Sequence, residues 1–387
     1  MRRRAAFLPF HRPVVSEPAI AEVVETLRSG WLTRGPRTER FEARFAAYLG
    51  VPHAVAVNSA TAALHLALVG LGVGRGDEVI TSPITFPSTA NVIVHVGARP
   101  VFADVEPDTL NLDPASVAAR IGPRTRAIIV VHLAGHPCDM DPIQSAAAGH
   151  GIPIIEDAAH AIEAEYRGRK VGYLGRAAAF SFYATKNLTT GEGGMLTTAD
   201  EALAERTRLL ALHGISRDAW KRYAADGDAV WEALLPGFKY NMSDIQAALG
   251  LHQLDELEAS WRRRRALMAR YRDRLQTVAG AVPLAERPDV RHATHLCIVR
   301  LDLARLGLTR RSVIEGLKAR NVGSGIHFPA LHLEPYYRET FGFAPGDCPV
   351  AEAAGRAVLS LPFFPTMADG DVDDAVDALA DVLAAGG

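Results

Sequence analysis

A lysine placed to form an imine, Lys186, lies in the run Phe180–Met195, FSFYATKNLTTGEGGM, where an apolar strand gives way to glycines. An acid, Asp157, ends the earlier apolar run in IPIIEDAAHA. Earlier still, VNSATAALHLAL sets Asn58, Ser59, Ala60 and Thr61 between a strand and a helix predicted to start at about residue 60. Free amides and the positive end of the helix dipole favour a phosphate there, and the hydroxyls of Ser59 and Thr61 add donors; plain N-capping by Ser59 is the alternative. An amine nucleophile, a buried acid and an anion cradle together suit covalently held pyridoxal phosphate, because the acid keeps the pyridine nitrogen protonated and the ring an electron sink. For Asp157 the competing role is a helix cap for the AAHAIEAEY that follows. Only the neutral amine attacks a carbonyl, so Lys186 must titrate below its usual ~10.4, and burial among Phe180, Phe182 and Tyr183 is expected to achieve this. His160, beyond Asp157, is a candidate hydrogen-bond partner for the cofactor's ring oxygen or a satisfied structural histidine.

These groups need a scaffold. From about residue 53 to residue 198 the chain alternates short apolar runs (HAVAVNS, DEVITSP, ARPVFADV, TRAIIVVHLAG, IPIIEDAA, AAAFSFYATK, GGMLTT) with helical or loop stretches. Continuous apolar runs without alternation predict strands covered on both faces, hence an α/β domain with a largely parallel sheet. Asn58, Ser59, Thr85, His132, Asp157 and Lys186 then fall just past strand ends, where loops converge on a ligand. The glycines of GLGVGRGDEVI follow a helix, precede a strand and do not spell GxGxxG, so they predict a turn and not a dinucleotide site. After the polar stretch Ser216–Ala229, MSDIQAALGLHQLDELEASWRRRRALMARYRDRL predicts a long connecting helix. Beyond it, HATHLCIVRLDL reads as a strand, TRRSVIEGLKARN as a helix capped by Thr309, VGSGIHFP as a short strand or loop, and VDDAVDALADVLAAG as a closing helix. The expected division is a large domain, 12–250, and a smaller C-terminal domain, 251–387, with residues 1–11 associated.

With 387 residues, 48% of them hydrophobic, and a net charge of −2, the chain can bury a sizeable core but offers no field for nucleic acid or an anionic membrane. The clusters Arg2–Arg4 and Arg262–Arg265 read as solvated surface. No run approaches the ~18 apolar residues of a spanning helix, and AAFLPFHRP, broken by Pro9 and Pro13, is too short for a signal sequence. The three cysteines, Cys138, Cys297 and Cys348, are odd in number and share no CxxC spacing, so no zinc site or disulfide framework is expected and the compartment reads as reducing cytoplasm.

The order of SGWLTRGPRTERFE, NSATAALHLAL, GDEVITSPITFPSTANVI, VVHLAGHPCDMDPI, IIEDAAHA, FSFYATKN with GEGGM, GFKYNMSDIQAALGLHQL, GIHFPALHLEPYY and LSLPFFPTM resembles the DegT/DnrJ/EryC1/StrS sugar aminotransferases over nearly the whole chain. The resemblance implies the fold type I architecture of pyridoxal-phosphate enzymes, aspartate aminotransferase-like, with a mostly parallel seven-stranded sheet and a smaller C-terminal α/β domain. By it, Lys186 is the Schiff-base lysine, Asp157 the partner of the pyridine nitrogen and His160 a ring-side contact. Ser59, Ala60, Thr61 and Ser181 hold the phosphate, and Phe86 covers the ring. Asn241 reaches the phosphate from the neighbouring subunit, which implies a homodimer with shared sites. His327 lies on the substrate side, with Trp31 and Thr33 bordering the cleft. Tyr183 stands where several relatives have histidine, and bears on the sugar pocket. No metal is expected, since His327 and His332 share no helix face.

The implied reaction moves the amino group of L-glutamate, leaving 2-oxoglutarate, to a UDP- or dTDP-linked 4-keto sugar by ping-pong transamination. The alternatives are a 3-keto deoxysugar aminotransferase and a non-catalytic cofactor-binding regulator; the latter lacks a helix-turn-helix appendage and a basic DNA-binding face. No arginine stands out for the donor's carboxylate.

Overall fold

The structure, a computed structural model, describes residues 4–215 and 232–385. Arg2, Arg3 and the polar stretch Ser216–Ala229 lie outside the described residues. After two helices, α1 (Glu17–Ser29) and α2 (Pro36–Leu49), the expected alternation begins with β1 (His53–Val57), α3 (Ala60–Gly70), β2 (Glu78–Thr81), α4 (Pro87–His95), β3 (Arg99–Phe102), β4 (Thr125–Val131) and β5 (Ile154–Asp157). Two short strands, β6 (Glu165–Tyr166) and β7 (Arg169–Lys170), precede β8 (Ala177–Ser181) and β9 (Gly194–Thr198). The glycine-rich stretch between α3 and β2 is a turn, as its context requires.

Seven strands form one sheet in the order β1-β9-β8-β5-β4-β2-β3. All run parallel except β9, which is antiparallel to both neighbours, β1 and β8. Both faces are covered: Ile128 and Val130 of β4 join one hydrophobic cluster, Ala127 and Ile129 the other. On the first face α2 drives Phe45 against Phe180, with ring centroids 5.1 Å apart, and Phe41 against Phe182, at 5.3 Å. Phe180 and Phe182 therefore do not surround Lys186. Strand alternation sends them into the core and sends Ser181 to the opposite face, which corrects the expected source of the lysine's burial.

The second core gathers around the antiparallel sheet β10 (Ala281–Pro283), β12 (Cys297–Leu301) and β13 (Val358–Leu361), while β11 (Val290–Arg291) pairs with β6. Thr309 caps the helix Arg310–Ala319, with Ser312 completing a capping box, and the helix Asp369–Ala384 closes the chain. Leu8 belongs to this core and bridges to Val322. VGSGIHFP is loop apart from two isolated bridges, Val322 to Leu8 and Gly325 to Ser360.

One 32-residue helix, Asp244–Leu275, ties the two cores together. Ser243 and Gln246 cap it reciprocally. Leu251, Leu254 and Leu257 pack into the sheet core, whereas Leu267, Met268, Tyr271 and Leu275 pack into the second. Between the two sets sits Arg264, only 2% exposed and paired with the fully buried Glu163. The Arg262–Arg265 cluster is thus not wholly solvated surface: helical periodicity turns its third member inward, where desolvation demands a partner. Among the described residues no helix is long and apolar enough to cross a membrane, and all three cysteines are free and buried.

Candidate active site

A cavity of about 570 Å³ opens at the carboxyl ends of the parallel strands, inside the roughly 300–1,000 Å³ range of small-molecule sites. Ser59, Ala60, Thr61, Phe86, Asp157, His160, Ser181, Tyr183, Lys186 and His327 all line it. Trp31, Thr33 and Asn241 do not line the cavity of their own chain. They lie instead around the start of the long helix: the amide of Asp244 donates to the carbonyl of Thr33 (3.1 Å), the Asp244 carboxylate accepts from the amides of Gly35 and Thr38 (2.8 and 2.9 Å), and Trp31 Nε1 donates to the carbonyl of Arg34 (3.1 Å). Asn241 accepts from Lys239 Nζ at 2.6 Å and donates to the carbonyl of Met242 at 3.2 Å.

At one end of the cavity Ser59 caps α3, its hydroxyl accepting from the amide of Ala62 at 3.0 Å. Capping and anion binding coexist here, because the amides of Ala60 and Thr61 donate to no protein acceptor among the described residues and remain available with the helix dipole. Gly194, the first residue of β9, lets this corner close: a Cβ there would come within 2.4 Å of the Ser59 carbonyl carbon and 2.6 Å of the Ala60 nitrogen. The GEGGM motif is needed for that approach.

Asp157 ends β5 and is 6% exposed. Its Oδ2 accepts from Thr89 Oγ1 at 2.7 Å, and its Oδ1 from the amide of Ala159 at 3.2 Å. No helix follows Asp157, which excludes the helix-cap reading. The Thr89 hydroxyl proton is committed to the carboxylate, so the Thr85 hydroxyl, 2.8 Å from Thr89, donates in turn. Burial pushes the Asp157 carboxyl up, and Thr89, the Ala159 amide and the charge of Lys186 pull it back toward the ionised form. Its neighbour in β5, Glu156, points to the other face and accepts from the amides of Gly172, Leu174 and Gly175 at 3.2, 2.9 and 2.8 Å. His132 donates to Glu156 across 3.1 Å through Nε2, while its Nδ1 accepts from the amide of Cys138 at 3.0 Å. With both nitrogens engaged, His132 braces the floor.

Lys186 follows β8 in a turn closed by its amide and the carbonyl of Tyr183 (2.9 Å). Desolvation lowers its pKa to about 8, with the Asp157 carboxylate opposing the shift. Tyr183 is 47% exposed and Phe86 is 61% exposed, so both rings present broad faces at the cavity. On the far side, the backbone from Ile326 to Pro329 brings in His327 and Phe328 across a cis peptide bond. His327 Nδ1 lies 2.8 Å from Ser360 Oγ, and its ring stacks on Phe10 with centroids 5.4 Å apart. Phe10, His11, Thr89, Asn187 and His295 escaped the sequence reading, whereas Thr85, expected just past a strand end, does line the cavity. Their roles come from contacts distant in sequence, such as Thr89 with Asp157 and Asn187 with His295.

The residues fit pyridoxal phosphate: free amides and hydroxyls for the phosphate, a hydroxyl-braced carboxylate for the ring nitrogen, and a depressed lysine between them. Similar proteins agree. The chain is 50% identical over 384 residues, 99% of each chain, to the spore coat polysaccharide biosynthesis protein SpsC of Bacillus subtilis. Spr1654 of Streptococcus pneumoniae, solved in its PMP form, superposes with a TM-score of 0.92 at 34% identity, covering 98% of this chain and all of the other. DesI, solved in the presence of its TDP-sugar product, superposes with a TM-score of 0.86 at 35% identity, over 98% of this chain and 93% of that one. The family match spans residues 13–380 and takes in every cavity residue except Phe10 and His11, so this pyridoxal-phosphate-dependent sugar aminotransferase belongs to the DegT/DnrJ/EryC1/StrS aminotransferase family.

Proposed function

We propose that the enzyme takes its amino group from L-glutamate and places it on C4 of a UDP- or dTDP-linked 4-keto sugar, working in the cytoplasm as a homodimer whose chains share each site. The carrying observation is the extent of the cavity, which runs from the phosphate cradle at Ser59 past Lys186 to His327 and Phe328. Beyond the cofactor's groups there is a polar-tipped wall for a sugar. The TDP-sugar product of DesI supports a nucleotide-linked substrate.

Pyridoxal phosphate, when bound, supplies a ring that accepts the electron pair left on carbon as a proton departs. The protein does the rest. Asp157 holds positive charge on the ring nitrogen, and Lys186, with its pKa near 8, carries the proton to and from carbon. The amides of Ala60 and Thr61, with Ser59 and Ser181, anchor the phosphate so that the reacting carbon stays within reach of Lys186.

The shared site draws support from Trp31, Thr33 and Asn241, which cluster beside their own cavity's scaffold without entering it. Near them α1 exposes Ile20, Val24 and Leu27, followed by Leu32, an apolar face suited to burial against a second copy. Sedimentation should give twice the chain mass. Mixed dimers of an Asn241 variant and a Lys186 variant should regain one working site in two; a fully active monomer would break this part of the reading.

The reaction itself is tested in single turnover. Glutamate should convert the bound cofactor to its amine form, and one member of a panel of UDP- and dTDP-linked 3-keto and 4-keto sugars should restore the starting absorbance rapidly. Restoration by a 3-keto sugar alone would overturn the ring position. No reaction with glutamate would overturn the donor.

A further inference from the structure

His327 is held by four neighbours, and together they decide which of its nitrogens carries a proton. Its ring stacks on Phe10 with planes 21° from parallel, Phe328 meets it edge-on at 4.9 Å and 76°, and Nδ1 lies 2.8 Å from Ser360 Oγ. The backbone fixes the register of that last contact. The amides of Gly325 and Ser360 each donate to the other's carbonyl, at 2.9 and 2.8 Å, which sets β13 beside the loop that carries the ring. Gly325 leaves the room: a Cβ there would press to within 3.0 Å of His327 Cε1 and 3.2 Å of the Phe10 ring.

Ser360 is fully buried, and among the described residues its hydroxyl has no partner besides His327 Nδ1. A hydroxyl has one proton to give. Were Nδ1 protonated it would donate to Oγ, and the hydroxyl proton would be left buried without an acceptor, an arrangement that native interiors avoid. Ser360 is therefore the donor and Nδ1 the acceptor, and the single proton of the neutral ring sits on Nε2. Burial, reinforced by the charge of Lys186, lowers His327 to about 4, so the ring is neutral at ordinary pH. Turning the ring over would set a carbon against the hydroxyl, so Ser360 fixes the orientation as well. Nε2 has no acceptor among the described residues, and unlike Nε2 of His11 it is not sealed from solvent; the open space that His327 lines is the cavity.

We propose that Ser360 is a positioning residue for substrate recognition: by donating to Nδ1 it presents His327 Nε2–H to the cavity as a fixed, uncharged donor for an oxygen of the keto sugar. This rests on the reading of the loop wall as the sugar's side of the cavity. An uncharged donor suits a carbonyl, ring or hydroxyl oxygen. A carboxylate or phosphate oxygen is held more strongly by a cation, so the match is to the sugar and not to the amino acid or the nucleotide's phosphates. Ser360 touches no substrate and acts through the imidazole alone.

The resting full-length enzyme is tested first. Long-range nitrogen–proton NMR correlations should show His327 protonated on Nε2 and bare at Nδ1, and in Ser360→Ala the Nδ1-protonated form should appear beside it. A native ring protonated on Nδ1 would overturn the proposal. Steady-state kinetics of the holoenzyme with glutamate then use UDP- and dTDP-linked 4-keto-6-deoxyhexoses as probes. Ser360→Ala should raise the KM for the reacting probe by about 5-fold, the scale of one weakened hydrogen bond, while kcat and the glutamate half-reaction stay within about 2-fold. Ser360→Thr, which keeps the hydroxyl, should hold that KM within about 2-fold of native. In a His327→Ala background Ser360→Ala should change KM by no more than about 1.5-fold, because its effect passes through the ring. Additive losses would mean a packing role alone and would overturn the proposal. Failure of both probes to react with the native enzyme would overturn the keto-sugar reading beneath it, whereas the NMR result is independent of any substrate.

Discussion

The two walls of the cavity are built in different ways. The wall holding Ser59, Asp157, Ser181 and Lys186 stands on strand ends and a helix start, so backbone ladders and the sheet register fix each side chain's position. The opposite wall, with Phe10, His11, His295 and His327, comes from loops and the amino-terminal segment. It is held by separate contacts: His327 to Ser360 at 2.8 Å, the amide of Phe363 to the carbonyl of Phe10 at 3.0 Å, and the amide of Gly323 to the carbonyl of Leu8 at 2.8 Å. On the proposed reaction, the first wall would carry the chemistry common to both half-reactions, and the second would meet whatever differs between donor and acceptor. Shared chemistry is built on the rigid element, and specificity on the one that can be altered loop by loop.

The largest effects should follow from breaking the sheet wall. Lys186→Ala removes the nucleophile and the proton carrier together, and steady turnover should fall by at least about 10³- to 10⁴-fold. Sustained turnover of that variant with glutamate and keto sugar would refute the assigned role. Asp157→Asn leaves the shape intact but removes the charge that holds the ring nitrogen protonated, and roughly a 10²- to 10³-fold loss is expected. The loss should be equal in the two half-reactions measured separately, because both draw on the same electron sink; an unequal loss would place Asp157 on one substrate and blur the division between the walls.

This division also explains what could be read from residues in order. Asp157, Lys186 and the Ser59–Thr61 cradle are announced by local pattern, an apolar run ending in one polar residue or a helix start, and the sheet places them together. Thr89 is visible only once β5 lies beside α4. Arg264 looks like surface charge in an arginine-rich stretch until the helix turns it onto Glu163. His295 gains its meaning through Asn187 Oδ1, a contact across more than a hundred residues. The Phe180 and Phe182 rings show the converse: adjacent in sequence to the site, they belong to the core because strand alternation separates them from Ser181.

A milder change on the loop wall should separate the substrates. His327→Ala removes an imidazole from the far end of the cavity without touching Asp157 or Lys186. The KM for the keto sugar should rise by about 10-fold, the scale of one lost hydrogen bond. The glutamate half-reaction should stay within about 2-fold of the native rate. A larger loss with glutamate than with the sugar would assign this wall to the donor and reverse the comparison.

The smallest expected effect is thermodynamic, and here the walls differ in sign. Burial lowers His11 and His327 to about 4 from the usual 6.5, and holds His160 and His295 well below the usual 6.5. Between pH 6.5 and about 4 the unfolded chain therefore binds protons at these positions that the folded chain refuses. Their contribution to stability is complete above pH 6.5 and is lost as the pH falls through that window. On the sheet wall burial raises Asp157, so the folded chain binds that proton more readily and acid acts the other way. In the cofactor-free protein, Tm should drop on acidification across this window, and His11→Gln combined with His327→Gln should reduce the drop by roughly 5 °C. Identical slopes for native and double variant would mean that the two imidazoles titrate alike in folded and unfolded chains, which their packing against Phe10 and Phe364 argues against.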